Sequence, residues 1–280
     1  MTGKQIVACV RLEAGAAGFL ACRLACRLAC LSACLLVSPA CEKLAELGSI
    51  GDGPSSVLWR GTFEPGNLSE WTGDGEGGTY TQNISLKPSA ISTMAHGGQY
   101  AGLVAIAPTA GMASTGYLFR NQPSPVAGYY SAWFYVPSST IVGSWLSLTH
   151  FSGSETGDGK NLFALWDVNL YALPGGGLAA QLYDYAHQVN LQQTNPAPVP
   201  VPLDAWVQIE VFLSKATDPS GEVAVWQDGT LILQRSGVAT APNDWVQWDV
   251  GGASDNILPS PADVYLDDAA ISLIRLGSGT

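Results

Sequence analysis

The stretch Gly221-Glu222-Val223-Ala224-Val225-Trp226-Gln227-Asp228-Gly229-Thr230-Leu231-Ile232-Leu233 reads as two strands and the turn between them. Asp-Gly between apolar runs marks a two-residue hairpin, because both turn residues take positive φ to match the twist of paired strands. The same punctuation by Gly, Pro, Asn, Asp and Ser extends outward from this hairpin, back to residue 57 and on to the last apolar run. Between the breaks apolar and polar residues alternate with period two, the mark of half-buried strands. The alternation predicts strands near 57–63, 79–86, 100–107, 115–122, 129–136, 144–151, 162–172, 178–187, 206–213, 222–227, 230–235, 245–250 and 263–274. Pro196 to Pro202, with four prolines, reads as an extended connector and not a strand. With no repeat and no second boundary, these strands predict one all-β domain over 57–275, a two-sheet antiparallel β-sandwich or jelly roll.

Composition agrees with an ordered β domain and narrows its partners. Of 12 basic and 23 acidic residues in the 280-residue chain, Lys4, Arg11, Arg23, Arg27 and Glu13 fall in the first forty. Residues 41–280 therefore hold 8 basic and 22 acidic residues, a net charge of −14. Such a surface excludes nucleic acid and anionic membrane as main partners, since both need clustered Lys and Arg. It also argues against a highly sulfated polysaccharide. All six cysteines lie within the first 41 residues, so no disulfide joins parts of the body. Its core must be held by packing.

The N-terminal segment has its own character. Basic residues precede an apolar run of 13 residues, Leu28 to Ala40, that ends in small side chains. A membrane-spanning helix needs about 20, whereas a short run closed by small residues has the pattern of an export signal. Ser38-Pro39-Ala40-Cys41 resembles the end of a bacterial lipoprotein signal, in which the cysteine is lipidated and becomes the first residue. Leu31-Ser32-Ala33-Cys34 matches that box better but would leave Leu-Leu-Val on the mature terminus. The expectation is a signal over 1–40, acylation at Cys41, a flexible tether over 41–56, and attachment to the bacterial cell envelope on its outer or periplasmic side.

Alternation also sorts side chains by face. In 129–136, Tyr129, Ser131, Trp133 and Tyr135 share one face, and Tyr130, Ala132, Phe134 and Val136 the other. Asp167, Asn169 and Tyr171 oppose Trp166, Val168 and Leu170; Trp206, Gln208 and Glu210 oppose Val207, Ile209 and Val211. Gln181, Tyr183, Tyr185 and His187 share a face in 178–187. Faces that mix aromatics with amides and carboxylates suit a glycan, whose C–H faces stack on rings and whose hydroxyls bond amides and carboxylates. Trp133, Tyr135, Asp167, Asn169, Tyr171 and Gln181 are the expected glycan-binding residues, on one exposed sheet.

Four pieces in order carry a family resemblance: Phe63-Glu64-Pro65-Gly66-Asn67-Leu68-Ser69-Glu70-Trp71, Tyr129-Tyr130-Ser131-Ala132-Trp133-Phe134-Tyr135-Val136-Pro137, Trp206 to Val211 with Gly221 to Gly229, and Tyr265-Leu266-Asp267-Asp268-Ala269-Ala270-Ile271-Ser272. Together they resemble the concanavalin A-like lectin/glucanase superfamily, particularly its heparin-lyase-like polysaccharide lyases and laminin-G-like modules. The resemblance implies a jelly roll that binds glycans on its concave sheet. It also implies first and last strands side by side, joined by a structural calcium ion on Glu64 and Asp267; strand alternation turns Asp268 the other way and makes it the less favoured ligand.

Two functions of different class are consistent with these residues. The first is a non-catalytic, lipid-anchored protein that binds a polysaccharide. The second is a polysaccharide lyase that cleaves a uronate-containing glycan by β-elimination, for which Arg120, His150, Tyr183, Tyr185 and His187 are the candidates, with Gln181 beside them. Alternation places His150 with Leu146 and Leu148 unless a bulge rotates it, and Arg120 with Leu118, which favours the binder. His187 shares the side of Tyr183 and Tyr185 and is the better lyase candidate. No Glu-x-Asp-x-Glu run, Gly-x-Ser-x-Gly elbow, phosphate loop, His-Glu-x-x-His or dinucleotide fingerprint occurs, and no organic cofactor is expected.

Overall fold

The computed structural model describes residues 56–194 and 197–277. The signal, Cys34, Cys41 and the tether up to residue 55 lie outside these residues. The described residues form eighteen strands and one four-residue helix. In chain order the strands are β1 (Val57–Gly61), β2 (Gly77–Gln82), β3 (Ile84–Ile91), β4 (Ala101–Ile106), β5 (Ser114–Arg120), β6 (Ala127–Tyr135), β7 (Ile141–Val142), β8 (Leu146–Ser154) and β9 (Leu162–Ala172). They continue as β10 (Leu178–Asp184), β11 (Val189–Gln192), β12 (Pro200–Val201), β13 (Trp206–Ser214), β14 (Gly221–Gln227), β15 (Thr230–Val238), β16 (Val246–Ser254), β17 (Ile257–Leu258) and β18 (Ala262–Ser272). Helix α1 (Ser69–Thr72) follows β1.

Two antiparallel sheets stack face to face as a jelly roll. The back sheet runs β15-β14-β13-β6-β18-β4-β3, with β1 also on β18. The front sheet runs β11-β10-β9-β8-β16-β5-β2, with β12 also on β10. The Asp228-Gly229 hairpin forms as its residues require, with φ of 48° and 79°. The first and last strands pair from Val57↔Ser272 to Gly61↔Ala269.

Three local expectations change. The run 79–86 is two strands in different sheets, because Asn83 takes a φ of 55° and turns the chain between them. The proline-rich connector contributes β12, two residues on the sheet edge, where a missing N–H is tolerated. The run 178–187 stops at Asp184 and turns, so the residues after it lose the strand's alternation.

The core lies between the sheets. Val207, Ile209, Val211 and Leu213 of β13 and Tyr130, Ala132 and Phe134 of β6 meet Trp166, Val168 and Leu170 of β9 and Val246, Trp248 and Val250 of β16, all buried. Each fully buried aliphatic side chain stabilises the fold by about 1.5–3 kcal/mol relative to exposure. At one end Trp59, Trp71 and Trp248 pack edge to face or tilted, with centroids 4.6–6.3 Å apart. Arg120 enters this cluster from the inner face of β5. Its guanidinium lies 4.9 Å from the Trp59 ring, donates to Asp74 at 2.8 and 2.7 Å, and reaches the Trp71 carbonyl. Those two hydrogen bonds hold the Asp74 carboxyl down at about 2. The only cationic lyase candidate is thus a structural residue of the interior, as its parity with Leu118 indicated.

In β16, Gly251 has a φ of 146°, and a Cβ there would sit 2.2 Å from the Gly116 carbonyl oxygen of β5. Only glycine lets these two strands pair at this point, where the register of β16 on β8 also shifts.

Candidate active site

The site is built by one bulge. Ser147 of β8 pairs with Asn169 of β9, but Thr149 pairs with Val168 and His150 with Asp167, so β8 carries one extra residue between Ser147 and Thr149. Leu148 and Thr149 both turn away from the outer face: Leu148 is fully buried, and Thr149 accepts a hydrogen bond from the core Trp248 indole at 2.7 Å. The extra residue reverses the parity of the rest of the strand. His150, assigned by simple alternation to the side of Leu146 and Leu148, therefore stands on the outer face of the front sheet beside Asp167.

Around that imidazole the polar groups form one network. Asp167 is buried and accepts from three sides: His150 Nδ1 at 2.6 Å, the Tyr185 hydroxyl at 2.6 Å and Ser147 Oγ at 3.1 Å. The Tyr117 hydroxyl of β5 donates to Ser147 Oγ at 2.8 Å. His150 Nε2 lies 3.0 Å from Ser152 Oγ. Because a carboxylate only accepts, Nδ1 carries the proton in neutral His150 and Nε2 is left as an acceptor, directed at the Ser152 hydroxyl. The rings of Tyr117 and Tyr185 flank the imidazole at 6.1 and 6.0 Å.

Burial lowers the His150 pKa, but the charge and hydrogen bond of Asp167, with the charge of Asp249, outweigh it and leave it above its ordinary value. Burial and then the Asp167 charge push the Tyr185 and Tyr117 phenols far up, so both stay protonated. Asp249 of β16, directly across from His150 in register, is pushed up to about 6 by burial, against the pull of the His150 charge.

Two cavities open on this face. The larger, about 650 Å³, is lined by Trp145, Asp167, Asn169, Tyr171, Gln181 and Tyr183 among others. The second, about 220 Å³, is lined by Tyr80, Tyr117, His150, Ser152, Gln247 and Asp249 with Leu162. Neither lining includes a lysine or an arginine. In the first, Gln192 donates to Gln181 at 2.7 Å, and the buried Asn169 carbonyl oxygen has no partner among the described residues.

The expected residues divide cleanly. Asp167, Asn169, Tyr171, Gln181, Tyr183 and Tyr185 share this face as alternation indicated, and the bulge adds His150. His187 does not join them. It lies in the turn after β10, and its Nδ1 is 2.8 Å from Asp184, whose side chain is buried on the opposite side of the strand from Tyr183. Trp133 and Tyr135 belong to β6 in the back sheet, so they cannot line one groove with Tyr171, Tyr183 and Tyr185. Trp133 is only 9% exposed and stacks on His96 at 3.8 Å.

Glu64 and Asp267 are near neighbours of one loop. Asp267 accepts from the His96 and Gly97 amides at 2.9 and 3.2 Å, and Glu64 from those of Gln99 and Tyr100 at 2.8 and 2.9 Å. A Cβ at Gly98, φ 61°, would sit 2.3 Å from the Glu64 carboxyl. Calcium takes oxygen ligands, and in this arrangement carboxylate oxygens of both residues accept from backbone N–H groups. No group of three or more His, Cys, Asp or Glu among the described residues is placed to hold a metal.

Tyr117, Gln247 and Asp249 were missed, although their signal was present. Gln247 and Asp249 alternate with Val246, Trp248 and Val250, and Tyr117 with Leu118.

No family model matches the sequence, and no curated protein matches it significantly. Solved structures do. The chain shares its fold with a glucuronan lyase. That endo-β-1,4-glucuronan lyase, from the fungus Trichoderma reesei, superposes with a TM-score of 0.58 at 16% identity, over 78% of this chain and 96% of the other. The cellulose-induced protein Cip1 gives 0.55 at 16% identity, over 79% and 99%. The alginate lyase Aly36B gives 0.52 at 15% identity, over 79% and 96%. At these identities the likeness establishes the jelly roll.

Proposed function

We propose that the protein is a polysaccharide lyase that cleaves a uronate-containing glycan by β-elimination on the outer face of the front sheet. The observation that carries this reading is the His150–Asp167 pair at 2.6 Å flanked by two protonated phenols in an open groove. Elimination needs a base for the proton at C5 of the uronate and an acid for the departing oxygen at C4. Neutral His150, with Nδ1–H held on Asp167, offers Nε2 as the base. The Tyr117 and Tyr185 phenols, kept protonated by burial and by Asp167, are the acids within reach. The amides of Gln181, Asn169 and Gln192 and the rings of Tyr171 and Tyr183 line the adjoining groove, where neighbouring sugars would lie. Likeness of fold to glucuronan and alginate lyases supports the substrate class.

Ser152–His150–Asp167 has the order of an acyl-transfer relay, but the carboxyl beside Ser152 is that of Asp249, which opposes a developing oxyanion. One observation favours the non-catalytic binder instead: the groove lacks the Arg or Lys that would neutralise a uronate. Absorbance of unsaturated uronates, followed on glucuronan and alginate with wild-type protein, His150→Ala, Tyr117→Phe and Tyr185→Phe, separates the two. Product from wild type, lost in His150→Ala, supports the lyase. Glycan binding without product from any uronate would establish the binder.

The proposal includes export and attachment to the cell envelope through acylated Cys41. Cys41→Ser should release a soluble form. Release by Cys34→Ser alone would move the anchor there.

A further inference from the structure

We infer that Asp249 binds the substrate's uronate carboxylate as a neutral carboxylic acid, so that the glycan and a proton bind together. This rests on the lyase reading and names the group that does the work usually given to a cation.

Three observations meet at this residue. Asp249 Oδ1 accepts from Gln247 at 2.7 Å, while Oδ2 is buried and has no hydrogen-bond partner among the described residues. The residue lines the 220 Å³ cavity together with His150, the proposed base, whose position it faces across the β16–β8 pair. No cation of the described residues lines this cavity: Arg120 is on Asp74, Arg235 3.3 Å from Asp184, Arg275 on Glu210, Lys160 on Asp158 and Lys215 on the Ser124 carbonyl, and Arg60 and Lys87 stand away from it.

An unpaired buried carboxyl oxygen is costly, and protonation converts it from a second repelling charge into a donor. A carboxylic acid hydrogen bonded to a carboxylate forms a short, charge-assisted O–H···O⁻ bond. The groups around Asp249 set its proton affinity: burial opposes ionisation, His150 from β8 favours it, as do the Gln247 amide and the nearby Ser152 hydroxyl, Asp167 beyond on β9 opposes it, and Tyr117 of β5 and Tyr80 of β2 line the same cavity as phenols. A bound uronate adds a negative charge, which raises the proton affinity of Asp249 further. Binding should therefore strengthen on acidification, whereas elimination requires His150 without its extra proton.

The test measures binding in His150→Gln, which lacks the base and the other group titrating here, so the probe survives. Calorimetry with glucuronan and alginate tetrasaccharides, at about pH 5, 6.5 and 8 and in buffers of different ionisation enthalpy, reads affinity across the range and proton uptake at its middle. A shift of about one pKa unit on binding predicts affinity weaker by roughly tenfold at the higher pH, with uptake of about half a proton midway between the free and bound pKa values. His150→Gln/Asp249→Asn should bind with no uptake and a flat pH profile, because the amide donates at every pH. The same pH slope in both variants would overturn the inference. If Asp249→Asn fails to fold, infrared difference spectra of His150→Gln decide: a protonated-carboxyl band growing with added uronate supports the role, and its absence refutes it. Absence of unsaturated product from wild type, together with absence of uronate binding, overturns the lyase reading itself. Product from wild type with an unchanged slope in the variants removes only Asp249.

Discussion

The outer faces of the two sheets have nearly the same composition and opposite fates. The front presents Tyr117, Tyr171, Tyr183, Asp167, Asn169 and Gln181; the back presents Trp133, Tyr135, Trp206, Glu210, Asp267 and Gln208. On the back, the segment around His96 covers Trp133 with a stacked ring and takes Asp267 with its amides, and Arg275 and the Leu276 amide close on Glu210. On the front, Asp167 gathers its partners from the same face and two cavities stay open, while buried side-chain oxygens without partners among the described residues occur on both faces, at Asn169 and Asp249 in front and Gln208 behind. An aromatic and carboxylate face becomes a site only where no neighbouring segment covers it.

Replacing the central group on each face should break this symmetry most sharply. On the front, His150→Ala should lower kcat/KM for elimination by about 10²–10⁴-fold, the range of positioned acid–base catalysis. The melting temperature should change little; a large fall in stability instead would make the His150–Asp167 pair structural. On the back, Trp133→Ala should cost about 3–5 kcal/mol of stability, as for a buried aromatic, and leave glycan affinity unchanged. Chemical denaturation and glycan calorimetry on that variant read both, and a stable variant with weakened binding would reopen the back face as a site.

A subtler comparison uses pH. Asp249 on the front and Asp267 on the back are both pushed up to about 6, the first by burial and the second by burial and then Asp268. Between about pH 4 and 6 the native state holds protons on these groups that the unfolded chain releases, so stability falls as pH rises through this window. Asp249→Asn and Asp267→Asn should each flatten the slope, by on the order of 1–2 kcal/mol across it. Slopes identical to wild type would show both residues ionised throughout. The smallest effect concerns calcium: if amides of the 96–100 loop already satisfy Glu64 and Asp267, a chelator should leave the melting curve unmoved. A downward shift that Glu64→Gln and Asp267→Asn abolish would put the ion back.

Much of the front site was legible from period two alone. Asp167, Asn169 and Tyr171 on one strand and Gln181 and Tyr183 on the next needed nothing but the pleat, and they lie across from each other in register. His150 was not legible, because a bulge of one residue leaves no mark in Trp145-Leu146-Ser147-Leu148-Thr149-His150 and yet inverts the face of His150 and the residues beyond it. His187 was misplaced for the converse reason. Alternation was carried past Asp184, where the chain had already turned, with Gln188 at a φ of 55°.

The sequence by itself determined the class of fold, the hairpin at Asp228-Gly229, the disulfide-free body and the parity of each regular strand, because these depend on local backbone preference and on which side chains must avoid water. Only the tertiary structure decided which strands share a sheet. That step separated Trp133 and Tyr135 from Tyr171, Tyr183 and Tyr185, gave the inward-facing Arg120 its partner Asp74, and brought His150, Asp167, Tyr117 and Asp249 from four strands to one point. Strand partners are chosen by the closure of the whole sandwich, through contacts between residues as far apart as Val57 and Ser272, and alternation along a single strand carries no record of that choice.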